Sequence, residues 1–370
     1  MIIGLFTDLL PAGGVQCAGR LTAAVLASAA RQHSLPCEFL SLNDPAGEHD
    51  LRVAGEHFSF RGFGRAKASF VLTALRLAAG KPRAVIAAHP HLAPPAMAMK
   101  ALAPRTRVLV MTHGIEVWKP LSPLRRQALR RADRVTAPSA DTARKLVGVQ
   151  GVAEEKIARL PWCVDPEFLE LARNPQSLPR PAAFPQGRIL LTVGRLVASE
   201  RYKGMDNLIR AMPHLTNEIK NLRLVAVGDG DDRPRLEALA RDTGINGSVH
   251  FLQGLSQPEI VACYANCDVF ALPSAGEGFG FVFLEAMALG KPVVGGAHGG
   301  APDLIQHGKT GFLVDHGDQE TLVNVLRILL TDEHLRRQTA IRAHETVQTN
   351  YLFETFRSRL TGLLESVCAF

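Results

Sequence analysis

Two carboxylates, Glu277 and Glu285, stand eight residues apart in Gly276-Glu277-Gly278-Phe279-Gly280-Phe281-Val282-Phe283-Leu284-Glu285-Ala286-Met287-Ala288-Leu289. The glycines permit a tight loop whose backbone N–H groups can approach a ligand. A helix over about 280–289 is predicted next. Its N-terminus offers free N–H groups and a partial positive charge, suited to an anionic or polyhydroxyl ligand. Phe281, Leu284, Ala288 and Leu289 can face the core of that helix, leaving Glu285 a carboxylate amid apolar neighbours. Such a carboxylate needs a partner, and two vicinal hydroxyls are a natural one. Spacing alone equally permits a solvated loop charge and an exposed helix charge.

Two cations form a second candidate site. Arg195 closes Thr192-Val193-Gly194-Arg195-Leu196, and Lys203 opens Lys203-Gly204-Met205-Asp206 eight residues later. Permanent cations at adjacent loop and helix ends can neutralise a diphosphate, although read alone they are also ordinary surface charges. Gly228-Asp229-Gly230-Asp231-Asp232 has the spacing of a metal site, but Asp232 also stands where it can cap a helix beginning near Pro234. The pair Gly13-Gly14 follows the opening apolar run and can bring backbone toward a diphosphate. His113, in Thr112-His113-Gly114-Ile115-Glu116, follows another apolar run, as does His89-Pro90-His91. Cys263 and Cys267 lack a second pair of matching spacing and read as buried structural thiols.

These residues need elements to position them. Short apolar runs at 2–6, 84–88, 107–111, 188–193, 222–227, 249–252, 269–272 and 292–294 alternate with segments of helical periodicity such as 207–215, 233–243 and 257–265. That alternation predicts α/β architecture, with parallel sheets covered on both faces and ligands beyond the carboxyl ends of the strands. Four prolines in 174–187 suit a linker. The expected domains are therefore 1–180 and 186–349. An amphipathic helix over 350–370 is free to pack back on the first.

The order of these motifs resembles glycosyltransferase family 4, whose members are retaining enzymes of the GT-B fold. The resemblance rests on Gly-Glu-Gly-Phe-Gly, Glu285-Ala286-Met287-Ala288, Gly290-Lys291-Pro292-Val293-Val294 and Gly299-Gly300-x-x-Asp303-Leu304-Ile305. The shorter elements at 192–196, 203–206, 13–14 and 113–116 fall in the family's order as well. It implies two Rossmann-like domains whose parallel sheets face a central cleft, with 1–180 on the acceptor side and 186–349 on the donor side. It also implies Glu285 on the donor ribose, and Glu277 with Gly278, Phe279 and Gly280 at the donor sugar. Arg195 and Lys203 would hold the diphosphate, with Gly13 and Gly14 reaching toward it. Leu252 and Gly254 would border the base, and His113 would face the transferred sugar. His113, Glu277, Arg195 and Lys203 are thus the expected catalytic set, with no metal and no cofactor. Trp162-Cys163 departs from the family's Asn-Gly in Leu160-Pro161-Trp162-Cys163-Val164-Asp165.

The activity implied is transfer of a hexose from a UDP- or GDP-sugar to a hydroxyl on a glycan or lipid-linked glycan, in envelope or exopolysaccharide synthesis. A catalytically silent nucleotide-sugar-binding protein and a sugar-nucleotide epimerase are the alternatives. A dinucleotide dehydrogenase is excluded, because Gly-x-Gly-x-x-Gly with a following acid is absent from both halves. The 370 residues suffice for two cores, and charge divides unevenly between them. Residues 1–185 carry 24 Lys+Arg against 14 Asp+Glu, net +10, and 186–370 carry 18 against 21, net −3. A basic first half suggests an anionic partner. Zinc-finger, zipper and single-strand motifs are missing, so a nucleic acid is not expected. A peripheral contact with an anionic membrane is expected through 61–72, with exposed aromatics, and through Arg125, Arg126, Arg130, Arg131 and Arg134. Six dispersed cysteines, no apolar run of ~18 residues and no leader-like start predict a cytoplasmic protein, peripheral on the inner face of the membrane.

Overall fold

The computed structural model describes residues 1–368, apart from the side chain of Asn246. The chain is an α/β protein that divides into two compact units, one of Met1–Pro166 with the segment from Phe353, the other Glu167–Leu352.

The first unit holds β1 (Ile2–Phe6), β2 (Cys37–Ser41), β3 (Gly47–Val53), β4 (Glu56–Gly62), β5 (Ala84–Ala87), β6 (Arg107–Met111), β7 (Arg134–Ala137) and β8 (Ile157–Arg159). They form one sheet in the order β3-β4-β2-β1-β5-β6-β7-β8. Every pairing is parallel except β3 with β4, a hairpin turning at Ala54-Gly55. The central strands β1 and β5 are apolar and buried along their length, as strands covered on both faces must be. In contrast, β3 alternates exposed and partly buried residues at the sheet's edge. Residues 61–72 are the end of β4, a turn and a helix from Lys67. The expected exposed aromatics are absent from this stretch: Phe63 and Phe70 are buried edge to face, centroids 5.3 Å apart, sealing the helix onto the sheet.

The second unit holds β9 (Arg188–Val193), β10 (Leu222–Val227), β11 (Val249–Leu252), β12 (Val269–Leu272), β13 (Val293–Gly296) and β14 (Gly311–Val314), all parallel, in the order β11-β10-β9-β12-β13-β14. Leu190, Leu224, Val269 and Val294 meet helix residues Leu208, Ile209, Met212 and Leu326 in its core. The proline-rich stretch 174–187 lies inside this unit. Within it Phe184 is buried, with the Arg180 guanidinium 4.7 Å over its ring. The terminal helix Phe353–Cys368 packs on the helix Gly14–Gln32 of the first unit.

Candidate functional site

The strand order places the chemistry of the second unit at the carboxyl ends of β9, β10 and β12. The chain leaves β9 through Gly194-Arg195-Leu196, and the loop Gly228-Asp229-Gly230 lies directly on it. A Cβ on Gly228 would sit 1.9 Å from the Gly194 carbonyl oxygen, and one on Gly230 would sit 2.2 Å from that of Leu196. The aspartates of this loop hold protein groups. Asp231 accepts from the Ala198 N–H at 2.8 Å, Asp229 accepts from the Gly230 N–H, and Asp232 takes Arg201 and Arg235. Their guanidinium partners, Arg235 first, keep Asp232 below the usual carboxylate range against its burial. Among the described residues, no group of three or more His, Cys, Asp and Glu is arranged to hold a metal ion.

Arg195 and Lys203 converge on one carboxylate, that of Glu200. Glu277 lies close enough that both cations favour its ionised form, while burial and Glu200 oppose it. Burial wins, and the Glu277 carboxyl is pushed up to about 7. Its backbone is clamped. Gly300 N–H donates to the Glu277 carbonyl at 2.6 Å, and a Cβ on Gly299 would lie 2.4 Å from Glu277 N. Oε1 of Glu277 is buried without a hydrogen-bond partner, as are Thr192 Oγ1 at the end of β9 and Ser274 Oγ after β12. Buried polar atoms are ordinarily satisfied, so this concentration marks a place where a ligand's hydroxyls can complete the bonding. Phe279 is buried against Phe281 and Tyr351, and Gly280 caps the helix Phe281–Ala288 at φ 103°. That cap contributes no side chain, and the Phe283 N–H closes back on the Gly280 carbonyl at 3.1 Å.

Glu285 sits on the same helix, and Tyr264 Oη donates to its Oε2 at 2.7 Å. Tyr264 is fully buried, so its hydroxyl fixes one carboxylate oxygen. We expect Glu285→Ala to weaken nucleoside diphosphate binding by about 1.5–3 kcal/mol for each charged hydrogen bond lost. Calorimetry with the ribo and the 2′,3′-dideoxy nucleotide checks this, since the dideoxy form should be insensitive to the change. Leu252 ends β11, and Gly254 follows it. The Leu252 carbonyl already accepts from Gly228 N–H at 2.9 Å, and Gly254 stands in open space at φ +66°.

In the first unit, His113 follows β6. Its Nε2 donates to the Ala88 carbonyl at 2.8 Å, and Glu116 accepts from its backbone N–H. Nδ1 is buried and unpaired. The ring is sandwiched, with His89 stacked at 5.7 Å and Trp162 nearly parallel at 5.3 Å. Burial, then the neighbouring His113 and His91 and Arg125, push His89 down to about 2, so it is neutral there. Gln150, fully buried, braces the following loop. Its amide donates to Val117 and Lys119 carbonyls and accepts from Leu121 N–H. Gly13 caps the helix that Gly14 begins, with φ 143°. The preceding loop hangs from buried Asp44, which accepts from the Leu9 and Leu10 N–H groups and from Ser41 Oγ. Glu200, Tyr264, Gln150 and Asp44 escaped the motif-based reading, because each acts on residues beyond its own motif.

Of the second basic cluster, Arg126 and Arg130 both donate to the Gln150 carbonyl, and Arg130 and Arg131 are exposed. No helix among the described residues is long and apolar enough to cross a membrane.

A family model described as Glycosyl transferases group 1 matches residues 176–346, and one described as Glycosyltransferase Family 4 matches 23–168. The chain is 34% identical over 280 residues to a GDP-mannose-dependent alpha-(1-6)-phosphatidylinositol monomannoside mannosyltransferase of Mycobacterium tuberculosis, covering 71% of this chain and 70% of the relative. Among solved structures, sucrose-phosphate synthase from Thermosynechococcus elongatus is similar with a TM-score of 0.77 at 21% identity, covering 100% of this chain and 99% of that one. Anabaena HepE in complex with UDP is similar with a TM-score of 0.72 at 21% identity, each chain covered to 99%. These structures share the GT-B fold with this chain.

Proposed function

This chain belongs to glycosyltransferase family 4, and on that premise we propose that it is a retaining, metal-independent hexosyltransferase. Glycosyl transfer from a nucleotide-sugar donor is its class of reaction. The observation that carries the finer reading is the buried Glu277, with Oε1 unpaired, beside Arg195 and Lys203. A buried carboxyl group with an unsatisfied oxygen stands next to two cations, which together suit the hydroxyls and the diphosphate of a nucleotide sugar.

Roles follow from that pairing. Arg195 and Lys203 hold the diphosphate and stabilise the charge it gains as the glycosidic bond breaks. Glu277 accepts from sugar hydroxyls, with backbone at Gly278, Phe279 and Gly280 beside it, and Glu285 accepts from the ribose. In the first unit, Gly13 and Gly14 are assigned to the diphosphate and His113 to the sugar on the family resemblance alone. The acceptor hydroxyl attacks the face the diphosphate leaves, its proton passing to a leaving phosphate oxygen, so configuration is retained. Because two fixed cations supply the charge, turnover should survive EDTA. An absolute need for a divalent ion would overturn this mechanism.

A GDP- or UDP-hexose is the donor class. GDP-mannose is tested first, since the Mycobacterium tuberculosis relative carries it in its name. The acceptor is a hydroxyl on a glycan or a lipid-linked glycan of an envelope or exopolysaccharide. Thermal stabilisation by UDP-, GDP- and ADP-sugars identifies the donor, because a tight ligand raises stability by mass action. Proton NMR of the product then reads the anomeric configuration, and inversion would refute retention.

The lipid-linked reading places the enzyme on the cytoplasmic face of a membrane. Exposed Arg61, Arg65, Lys67 and Leu72 supply the contact, together with Arg131 and Leu124. Each basic residue at an anionic surface contributes about 1 kcal/mol, screened by salt. Cosedimentation with anionic but not neutral vesicles at low salt is the expected result. Equal binding to both would remove the electrostatic contact.

A further inference from the structure

Glu200 stands between the two cations of the donor site. One carboxylate oxygen takes Arg195 Nη2, and the other lies 2.9 Å from Lys203 Nζ. The Glu200 side chain is 11% exposed and that of Lys203 17%, against 71% for Arg195. The backbone delivers the carboxylate there. Residues Ala198–Lys203 form a 3-10 segment whose helical angles break at Glu200, φ −116° and ψ 24°. Asp231 holds the start of the segment through Ala198 N–H, and left-handed Gly204 holds its end, where a Cβ would lie 2.3 Å from the Pro273 carbonyl oxygen.

A carboxylate between a guanidinium and an ammonium balances their charge as a pair of phosphate oxygens would, although its Oε2 facing Lys203 makes no hydrogen bond. We propose that Glu200 is a resident anion at the diphosphate site. It occupies Arg195 and Lys203 in the free enzyme, must yield them to the incoming diphosphate, and so determines how tightly the diphosphate part of the donor is held. This rests on the assignment of Arg195 and Lys203 to the diphosphate. A diphosphate arriving with Glu200 in place meets two positive charges and one negative, together with Glu277 nearby. The competition weakens the ground-state complex and hastens release of the nucleoside diphosphate product. Arg195 is exposed enough to turn from one anion to the other, and the broken helical angles at Glu200 leave it a segment of backbone outside a regular ladder.

Isothermal titration of GDP, UDP, the parent nucleosides and inorganic pyrophosphate tests this on the wild-type protein, Glu200→Gln, Glu200→Asp, Arg195→Ala and Lys203→Ala. Glu200→Gln keeps the shape and removes the charge. It should tighten the nucleoside diphosphate and pyrophosphate about tenfold, leaving nucleoside affinity unchanged. Glu200→Asp, too short to reach both cations, should tighten them less. Should Arg195→Ala and Lys203→Ala weaken diphosphate binding while neither Glu200 variant strengthens it, Glu200 is a scaffold for the cations and the proposal fails alone. Should Arg195→Ala and Lys203→Ala leave diphosphate affinity intact, the site assignment fails and the proposal with it.

Discussion

Lys203→Ala and Arg195→Ala are each expected to lower kcat at least ~100-fold, because stabilising charge on a leaving diphosphate is worth several kcal/mol of barrier. The surroundings of the two residues rank them. Lys203 is largely enclosed, its side chain 17% exposed, beside the even less exposed Glu200. Its loss leaves that carboxylate with Arg195 as its one cation and Glu277 without the largest influence favouring its ionised form. Arg195 is exposed, and water screens part of its effect. Lys203→Ala should therefore show the larger fall. Single-turnover rates at saturating donor check both variants. A loss confined to KM, with kcat intact, would mean that the cations bind ground state and transition state alike.

Glu277→Ala is expected to cut turnover by on the order of 100-fold while leaving affinity for the bare nucleoside diphosphate undiminished. The carboxylate serves the sugar, and its removal takes a like charge away from the diphosphate. An equal loss of GDP or UDP affinity in Glu277→Ala and Glu285→Ala would reject that division of roles. The same residue leaves a mark on stability. Burial raises Glu277 from an ordinary 4.5 to about 7, so the folded chain keeps a proton that the unfolded chain has released. The stability associated with that proton is complete below about pH 4.5, falls as pH rises to about 7, and is gone above. Its size is on the order of 3 kcal/mol. Glu277→Gln, uncharged throughout, should flatten this decline. Melting temperatures of the ligand-free protein between about pH 5 and pH 7.5 read it out, and parallel curves for variant and wild type would show that Glu277 is ionised throughout.

What the chain's own letters determined is local. The continuous apolar runs match β1, β5, β6 and β9 to β12 closely, because strands covered on both faces carry no alternation to misread. The helix Gln257–Ala265 has the predicted bounds, and its Ser256–Glu259 capping box marks the start. The loop of Glu277 and the glycines at 276–280 are equally legible, since their motif lies within one strand–turn–helix unit. The hairpin β3–β4 was not legible, because an edge pair draws its pattern from solvent on one side. The aromatics of 61–72 looked exposed beside basic residues, yet the pleat of β4 and the pitch of the next helix turn Phe63 and Phe70 inward. Tertiary structure alone decided the partners. Trp162 on His113, Tyr264 on Glu285 and Gln150 under the 117–121 loop join residues 21 to 49 positions apart. Parallel strands meet only through long crossovers, so such neighbours follow from strand order and register, which motif spacing does not encode. The bridge from Glu200 to Arg195 and Lys203 spans few residues, but it sits at a break in helical angles within a segment that Asp231 and Pro273 meet at its two ends from two other loops.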